Sequence, residues 1–314
     1  MSRRGWWLFG AMGVIWGIPY LLIKVADSGV APPVLVLARV AIAAALLVPI
    51  AIRRGELAPL LPYWRWLFLF AVVEIITPWL LLSEAETRLS SSLSGLLIAS
   101  VPILVAVFGR LTGGQDRLTP IRWTGLLLGL GGVALLVVSS GTSGDVGSVI
   151  EVLGVAVCYS IGPLIAARKL SELPSLGMTA ACLAFAAVVY APIAAVTWPH
   201  TVPAAKVLAS LAGLAVICTA LAFVLFFALI AEAGPARAAV ITYVNPAIAV
   251  VLGVLVLGER LTAQMAIAFV LILAGSVLAT RATARPAAGG DGSLPEAGAA
   301  VAGQYQQARS VGPD

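Results

Sequence analysis

Long stretches of this chain carry almost no charge, each near the ~20 residues a helix needs to cross ~30 Å of hydrocarbon. They fall at about 6–25, 33–52, 66–83, 90–109, 122–139, 148–167, 177–197, 206–230, 236–257 and 263–280. Lipid offers no partner to a backbone N–H or C=O, so apolar runs of this length must satisfy themselves as helices. Composition supports this reading. Of 314 residues, 61% are hydrophobic and 11% charged, where a soluble domain carries about 25% charged residues. The expected fold is an all-α polytopic membrane protein with ten transmembrane helices. Turn chemistry separates them, at Ala31-Pro32-Pro33, Arg53-Arg54-Gly55, Thr112-Gly113-Gly114, Ser140-Gly141-Thr142-Ser143-Gly144 and Trp198-Pro199-His200. Ser2, Arg3 and Arg4 ahead of the apolar run from Trp6 look like a signal peptide. Without a small-residue cleavage pattern, that segment reads as a retained first helix. Residues 281–314 turn to Ala, Gly, Pro and Gln and are expected to form a disordered cytoplasmic tail.

Several functional classes fall away. The net charge is +5, but the basic residues lie scattered between apolar runs, so nucleic acid is not an expected partner. Cys158, Cys182 and Cys218 sit inside spans, with neither a disulfide framework nor metal-ligand spacing. His200, the one histidine, lies in a loop beside Pro199. No metal, cofactor or enzymatic activity is expected, since a membrane enzyme would need a polar cluster at depth and only Glu74 is clearly deep. No Gly-rich stretch ends in Gly-Lys-Ser/Thr, so no nucleotide-binding loop is present and energy would come from gradients.

Residues 236–280 repeat the landmarks of 92–137. Pro102 leads to Arg117-Leu118-Thr119 and then Gly132; Pro246 leads to Arg260-Leu261-Thr262 and then Gly275. The Thr-to-Gly gap is 13 in both copies, from 132 − 119 and 275 − 262. Pro19 before Lys24 matches Pro163 before Arg168 in the same way. The chain divides into a first five-helix repeat (1–139) and a second (148–280). Five is odd, so the second half enters the membrane upside down: an inverted repeat, the plan of many secondary transporters. With the N-terminus inside, 14 of the 19 lysines and arginines face the cytoplasm. Both termini are then cytoplasmic. Spans 1–4 and 6–9 are expected to surround a central cavity, with spans 5 and 10 at the periphery.

Side chains that could line a substrate path are Trp16, Tyr20, Glu74, Trp79, Tyr159, Tyr243 and Asn245, all at mid-depth. Glu74 is the sharpest of these, because an ionised carboxylate is costly in hydrocarbon. It suits proton coupling or amine binding, or a hydrogen bond to a neighbouring helix. Trp16 and Tyr20 are four apart and share a helix face. Asn245 adjoins Pro246, where freed carbonyls need donors. Pro19, Pro102, Pro163 and Pro246 are candidate hinges, because each removes a backbone donor. Arg39 reads as snorkelling to the headgroups, with Glu84 or Glu86 within reach. Trp6, Trp7, Trp64, Trp66, Trp123 and Trp198 form an interfacial belt. Gly13/Gly17, Gly125/Gly129 and Ala249/Gly253 are spaced for close helix packing within the chain.

Ile15-Trp16-Gly17 through Lys24, Ser91 to Pro102, and Ala239 to Leu261 with Asn245-Pro246 and Gly258-Glu259-Arg260-Leu261 resemble the EamA-like family of the drug/metabolite transporter superfamily. The likeness spans about residues 6–280. The first copy departs at its turn, carrying Gly114-Gln115-Asp116-Arg117 where Gly-Glu would be expected. The resemblance implies a ten-helix inner-membrane carrier of inverted repeats, many of whose relatives export amino acids and related metabolites. The expected function is therefore a secondary transporter of the cell (inner) membrane, exporting small metabolites such as amino acids by alternating access. The partners are the bilayer and a small-molecule substrate, with homodimerisation left open. A polyspecific cation or drug exporter is the alternative, and a non-transporting scaffold a weaker one.

Overall fold

The structure, a computed structural model, describes residues 2–111, 120–140, 146–234, 238 and 240–280. The expected tail at 281–314 and the first Arg117-Leu118-Thr119 turn lie outside these. The described chain forms ten helical rods. They are α1 (Arg3–Gly17 and Pro19–Ala26), α2 (Pro32–Arg53), α3 (Ala58–Arg88), α4 (Ser91–Ile98 and Val101–Leu111) and α5 (Pro120–Ser140). The remainder are α6 (Val146–Lys169), α7 (Ser175–Val196), α8 (Ala205–Ala233), α9 (Ile241–Leu257) and α10 (Ala263–Thr280). Among the described residues, seven are long and apolar enough to cross a membrane, judged by length and composition. The rods α5, α9 and α10 contribute shorter apolar stretches of 10–17 residues. All six expected belt tryptophans are exposed on the outside of the bundle.

The principal contacts between rods come in pairs related by moving each rod five places along the chain. Rod α1 lies on α8 and α9, as α6 lies on α3 and α4; α2 touches α8, as α7 touches α3. The pairs α2–α7, α4–α9 and α5–α10 join corresponding rods directly. Small residues make the closest of these contacts. A Cβ added to Gly275 would come within 2.6 Å of Gly125 O and 2.7 Å of Gly129 Cα. Such backbone-to-backbone approach is how helices associate where no hydrophobic force drives them together. The repeat's glycine landmarks, Gly132 and Gly275, both serve this α5–α10 seam. On the α1–α9 seam, Gly13 meets Val244, while Gly17 meets Ile248 and Asn245 O.

The repeat-related prolines behave differently in the two halves. Pro19 and Pro102 open new helical segments after breaks at Ile18 and at Ala99-Ser100, whereas Pro163 and Pro246 ride inside continuous helices. At the second break Ile103 N turns to Ser100 O, so Ala99 O loses its helical partner. Ser276 Oγ of α10 supplies one at 3.3 Å. Ser160 Oγ of α6 shares its proton between Ala156 O at 2.6 Å and Val101 O at 3.3 Å. These are the bonds that make irregular backbone tolerable at membrane depth.

Two π-helical segments interrupt corresponding rods, Val72–Ile76 in α3 and Gly213–Leu221 in α8. The repeat offset of 144 (163 − 19, and equally 246 − 102) carries 72–76 onto 216–220, inside the second segment. A π turn slips the hydrogen-bond register by one residue and commonly marks a functional place. Tyr190 of α7 donates its hydroxyl to Ile76 O and so satisfies a carbonyl at the end of the first π segment.

Candidate functional site

Arg39 stands at the centre of the bundle. Its rod starts at Pro32-Pro33, which suit a first helical turn, and the side chain lies about two turns in. It is only 7% exposed, so it does not snorkel to the headgroups. It makes no ion pair with Glu84 or Glu86 among the described residues. Instead Nε donates to Thr219 Oγ1 of α8 at 2.9 Å, and the guanidinium lies 3.6 Å from the centroid of the Trp79 ring in α3. Trp79 lies beside Tyr159 of α6. A stacked, desolvated guanidinium on tryptophan is worth about 2 kcal/mol. Both partners stand at π segments. Thr219 lies inside the second and closes back onto Leu214 O at 2.8 Å; Trp79 follows the first by three residues. The bulges thus aim a hydroxyl and an indole at one cation.

A file of polar groups extends from this node along α3. At one end Glu74, on the first π segment, packs its carboxyl against Gly162 of α6, where a Cβ would collide with Oε2. That oxygen is buried and accepts no hydrogen bond among the described residues. Glu74 lies within electrostatic reach of Tyr159. At the other end is Glu86, completely buried, with neither carboxyl oxygen bonded. Tyr20 of α1 lies within electrostatic reach of Tyr159, Glu86 and Arg39.

The end of the bundle nearest Glu86 is tied shut by cross-rod bonds. Lys24 of α1 donates to two carbonyls at the end of α3, Glu86 O and, at 2.7 Å, Leu89 O. Arg88 reaches α6 through Ser148 Oγ at 2.8 Å and Glu151 at 3.1 Å. The most organised tie is Glu259. Gly258, with φ +67, ends α9 in the left-handed conformation and turns the chain back, so that Glu259 N reaches Gly253 O at 3.0 Å. The Glu259 carboxylate then clasps the first turn of α4. Oε1 accepts from Ser91 N at 2.7 Å and Ser91 Oγ at 3.0 Å, and Oε2 accepts from Ser92 N at 2.9 Å and from Ser92 Oγ. One carboxylate of the second half thereby caps a helix of the first, where the helix dipole favours it. Gly253 admits the clasp, since a Cβ there would meet Glu259 and both serines. Beyond α1, burial lifts the Asp27 carboxyl from 3.8 to about 7, with Lys24 opposing and Glu84 reinforcing the shift. Both of its oxygens lack a hydrogen-bond partner among the described residues.

Of the side chains expected along a path, Tyr20, Glu74, Trp79 and Tyr159 gather around Arg39 and the length of α3. Trp16 does not join them. Helix α1 breaks between it and Tyr20, and Trp16 packs instead on Phe226 (ring centroids 4.6 Å apart) and Phe223 of α8. Asn245 Oδ1 is buried without a partner, and Tyr243 is half-buried on the same rod. Sequence reasoning sent Arg39 to the headgroups and offered Glu86 only as its partner there, and it missed Thr219 and the clasp of Glu259. Glu86 had a legible signal: it follows Trp79 by seven residues, two turns along one face of α3.

Apolar rods in duplicated, interlocking halves around a buried polar node define a membrane transporter. The chain matches the EamA-like transporter family twice, over residues 3–138 and 147–281, and it belongs to that family of transporters, not to an enzyme family. Among curated relatives, an Escherichia coli protein (strains K12, O6:H1 and O157:H7), described as the uncharacterized inner membrane transporter YedA, is 28% identical over 283 residues. The match covers 87% of this chain and 90% of the relative. A solved crystal structure superposes with a TM-score of 0.63 at 22% identity, covering 89% of this chain and 97% of its own, and supports the fold alone.

Proposed function

We propose that this chain is a secondary carrier of the cytoplasmic (inner) membrane that exports small metabolites, amino acids among them, by alternating access. In this reading ten spanning rods form two five-helix halves of opposite orientation, with both termini in the cytoplasm. The supporting observation is the pairing of rod contacts five places apart, which gives two related halves that can rock about the Arg39 node. Location in the inner membrane follows the description of the relative. Pro19 and Pro102, at breaks, are the flexible joints; Pro163 and Pro246 sit in stiffer rods. The test is efflux from cells preloaded with labelled amino acids, with and without the protein. Loss of the label-export difference would remove the reading.

A second reading, export of lipophilic cations, rests on the unpartnered carboxyl oxygen of Glu74 beside Tyr159. Growth protection against a panel of cationic dyes and a panel of toxic amino acids separates the two.

A further inference from the structure

The dipeptide Gly-Glu occurs twice in the chain, at Gly55-Glu56 after α2 and at Gly258-Glu259 after α9. Both copies fold the same way. Each glycine is left-handed, with φ +69 and φ +67, and turns the chain back over the helix it ends. Glu56 N returns to Ala51 O at 3.0 Å, as Glu259 N returns to Gly253 O. Each glutamate then leaves its own half and caps a helix of the other. Glu56 Oε2 accepts from Gly177 N of α7 at 2.8 Å, at a helix start whose cap residue, Pro174, brings no side-chain bond of its own. A Cβ on Gly177 would come within 2.7 Å of Glu56 O, so a bare glycine admits this clasp as Gly253 admits the other.

The two clasps stand at opposite ends of the bundle. Glu259 holds α4 at the end where Lys24 meets Leu89 and Arg88 meets Ser148. Rods α2 and α6 start at that end and run away from it, carrying Glu56 and the start of α7 to the other. The clasps also differ in strength. Glu259 fills both oxygens with four donors, while Glu56 holds one backbone N–H and faces Arg54 at 3.8 Å. Helix α4 does not depend on Glu259 for its start, because Ser90 Oγ already accepts from Leu93 N.

We propose that the two Gly-Glu turns are a pair of latches, one at each end of the carrier, released in turn as access passes from one side to the other. Release at Glu259 opens the end at Glu86 while Glu56 stays engaged. Release at Glu56 opens the far end while Glu259 stays engaged. In the orientation proposed above, Glu259 latches the outer end and Glu56 the cytoplasmic end. The assignment rests on reading the chain as an alternating-access carrier and names the residues that set which side is open.

The test reads access directly and needs no substrate. The full chain carries Cys158→Ala, Cys182→Ala and Cys218→Ala, with one reporter inside each latch. The reporters are Ser94→Cys on α4 and Ala180→Cys on α7, at positions that are both completely buried. A membrane-impermeant maleimide is added to right-side-out or inverted vesicles, and the labelling rate reads how often each end opens. Glu259→Gln is expected to raise outside labelling at Ser94→Cys at least about threefold, the effect of weakening one hydrogen bond on a two-state balance. It is expected to lower inside labelling at Ala180→Cys. Glu56→Gln is expected to do the reverse. Gly253→Ala and Gly177→Ala push each clasp away without changing its charge and are expected to repeat the two patterns. Should Glu259→Gln fail to fold, Ser91→Ala with Ser92→Ala removes two hydroxyl donors and leaves the cap at Ser90. Labelling that rises at both ends together marks a general loosening, and unchanged labelling marks a static cap; either overturns the latches. A parent protein labelled at one reporter from both faces does not alternate, and the carrier reading falls with the latches. Labelling confined to one face for each reporter, yet indifferent to both glutamates, ends the latches alone.

Discussion

Glu259 holds four donors of α4 from the opposite half, so the smallest change to it reports on that junction. Glu259→Ala removes a cap and its charge-assisted bonds and is expected to lower unfolding stability by about 2 kcal/mol. Glu259→Gln keeps the size and loses part of this, and melting in detergent ranks the three proteins. Asp27 works through pH. Its folded value is about 7 against 3.8 in an exposed carboxyl. Its contribution is therefore complete below about pH 4 and lost as pH rises through about 7. Asp27→Asn should melt like the parent at about pH 4 and above it beyond about pH 7. Identical pH profiles would show that Asp27 does not set this dependence. Glu74 is tested through its neighbour as well as itself. Gly162→Ala pushes the carboxyl away and is expected to cost about 1–3 kcal/mol. Glu74→Gln should leave stability near that of the parent and remove any dependence of transport on an imposed pH gradient.

At the scale of the helices, the α5–α10 seam offers a controlled comparison. Gly275→Ala sets a methyl against backbone that cannot yield and should destabilise by about 2 kcal/mol. Gly131→Ala, where nothing lies within 4 Å of the added Cβ, should be neutral or stabilise by up to about 1 kcal/mol. Equal melting of the two variants would contradict the seam. Apolar length, helix order and glycine seams were legible because hydrocarbon forces them on any sequence that crosses it. The π segments were not, since a one-residue slip in hydrogen-bond register leaves no composition behind. Nor was the unequal treatment of the prolines: Pro19 and Pro163 share their spacing to a basic residue, yet only the first stands at a break. At the Pro102 break the nearby carbonyls find Ser276 and Ser160, donors on other rods that the local sequence does not name.

For the whole molecule, the order of landmarks in sequence anticipated two related halves, and the principal contacts between rods follow the same pairing. The burial of Arg39 could not be read in advance, because it depends on α3, α6 and α8 meeting around α2. Glu86 was hidden differently: the apolar run was expected to stop near 83, but the helix continues to Arg88 and turns Glu86 inward. If the halves are opposed in the membrane, tags at residues 2 and 314 will report the same compartment; opposite compartments would end that reading. The clasp at Glu259 carries a last consequence. By the Arg-Leu-Thr landmarks its counterpart in the first half is Asp116, while Ser91-Ser92 are matched by Pro235-Ala236 at the proline offset of 144. Proline has no N–H to give, so the bond from Ser91 N has no equivalent in the sequence of the other half. Any motion that separates the halves at this end must first part Glu259 from Ser91 and Ser92.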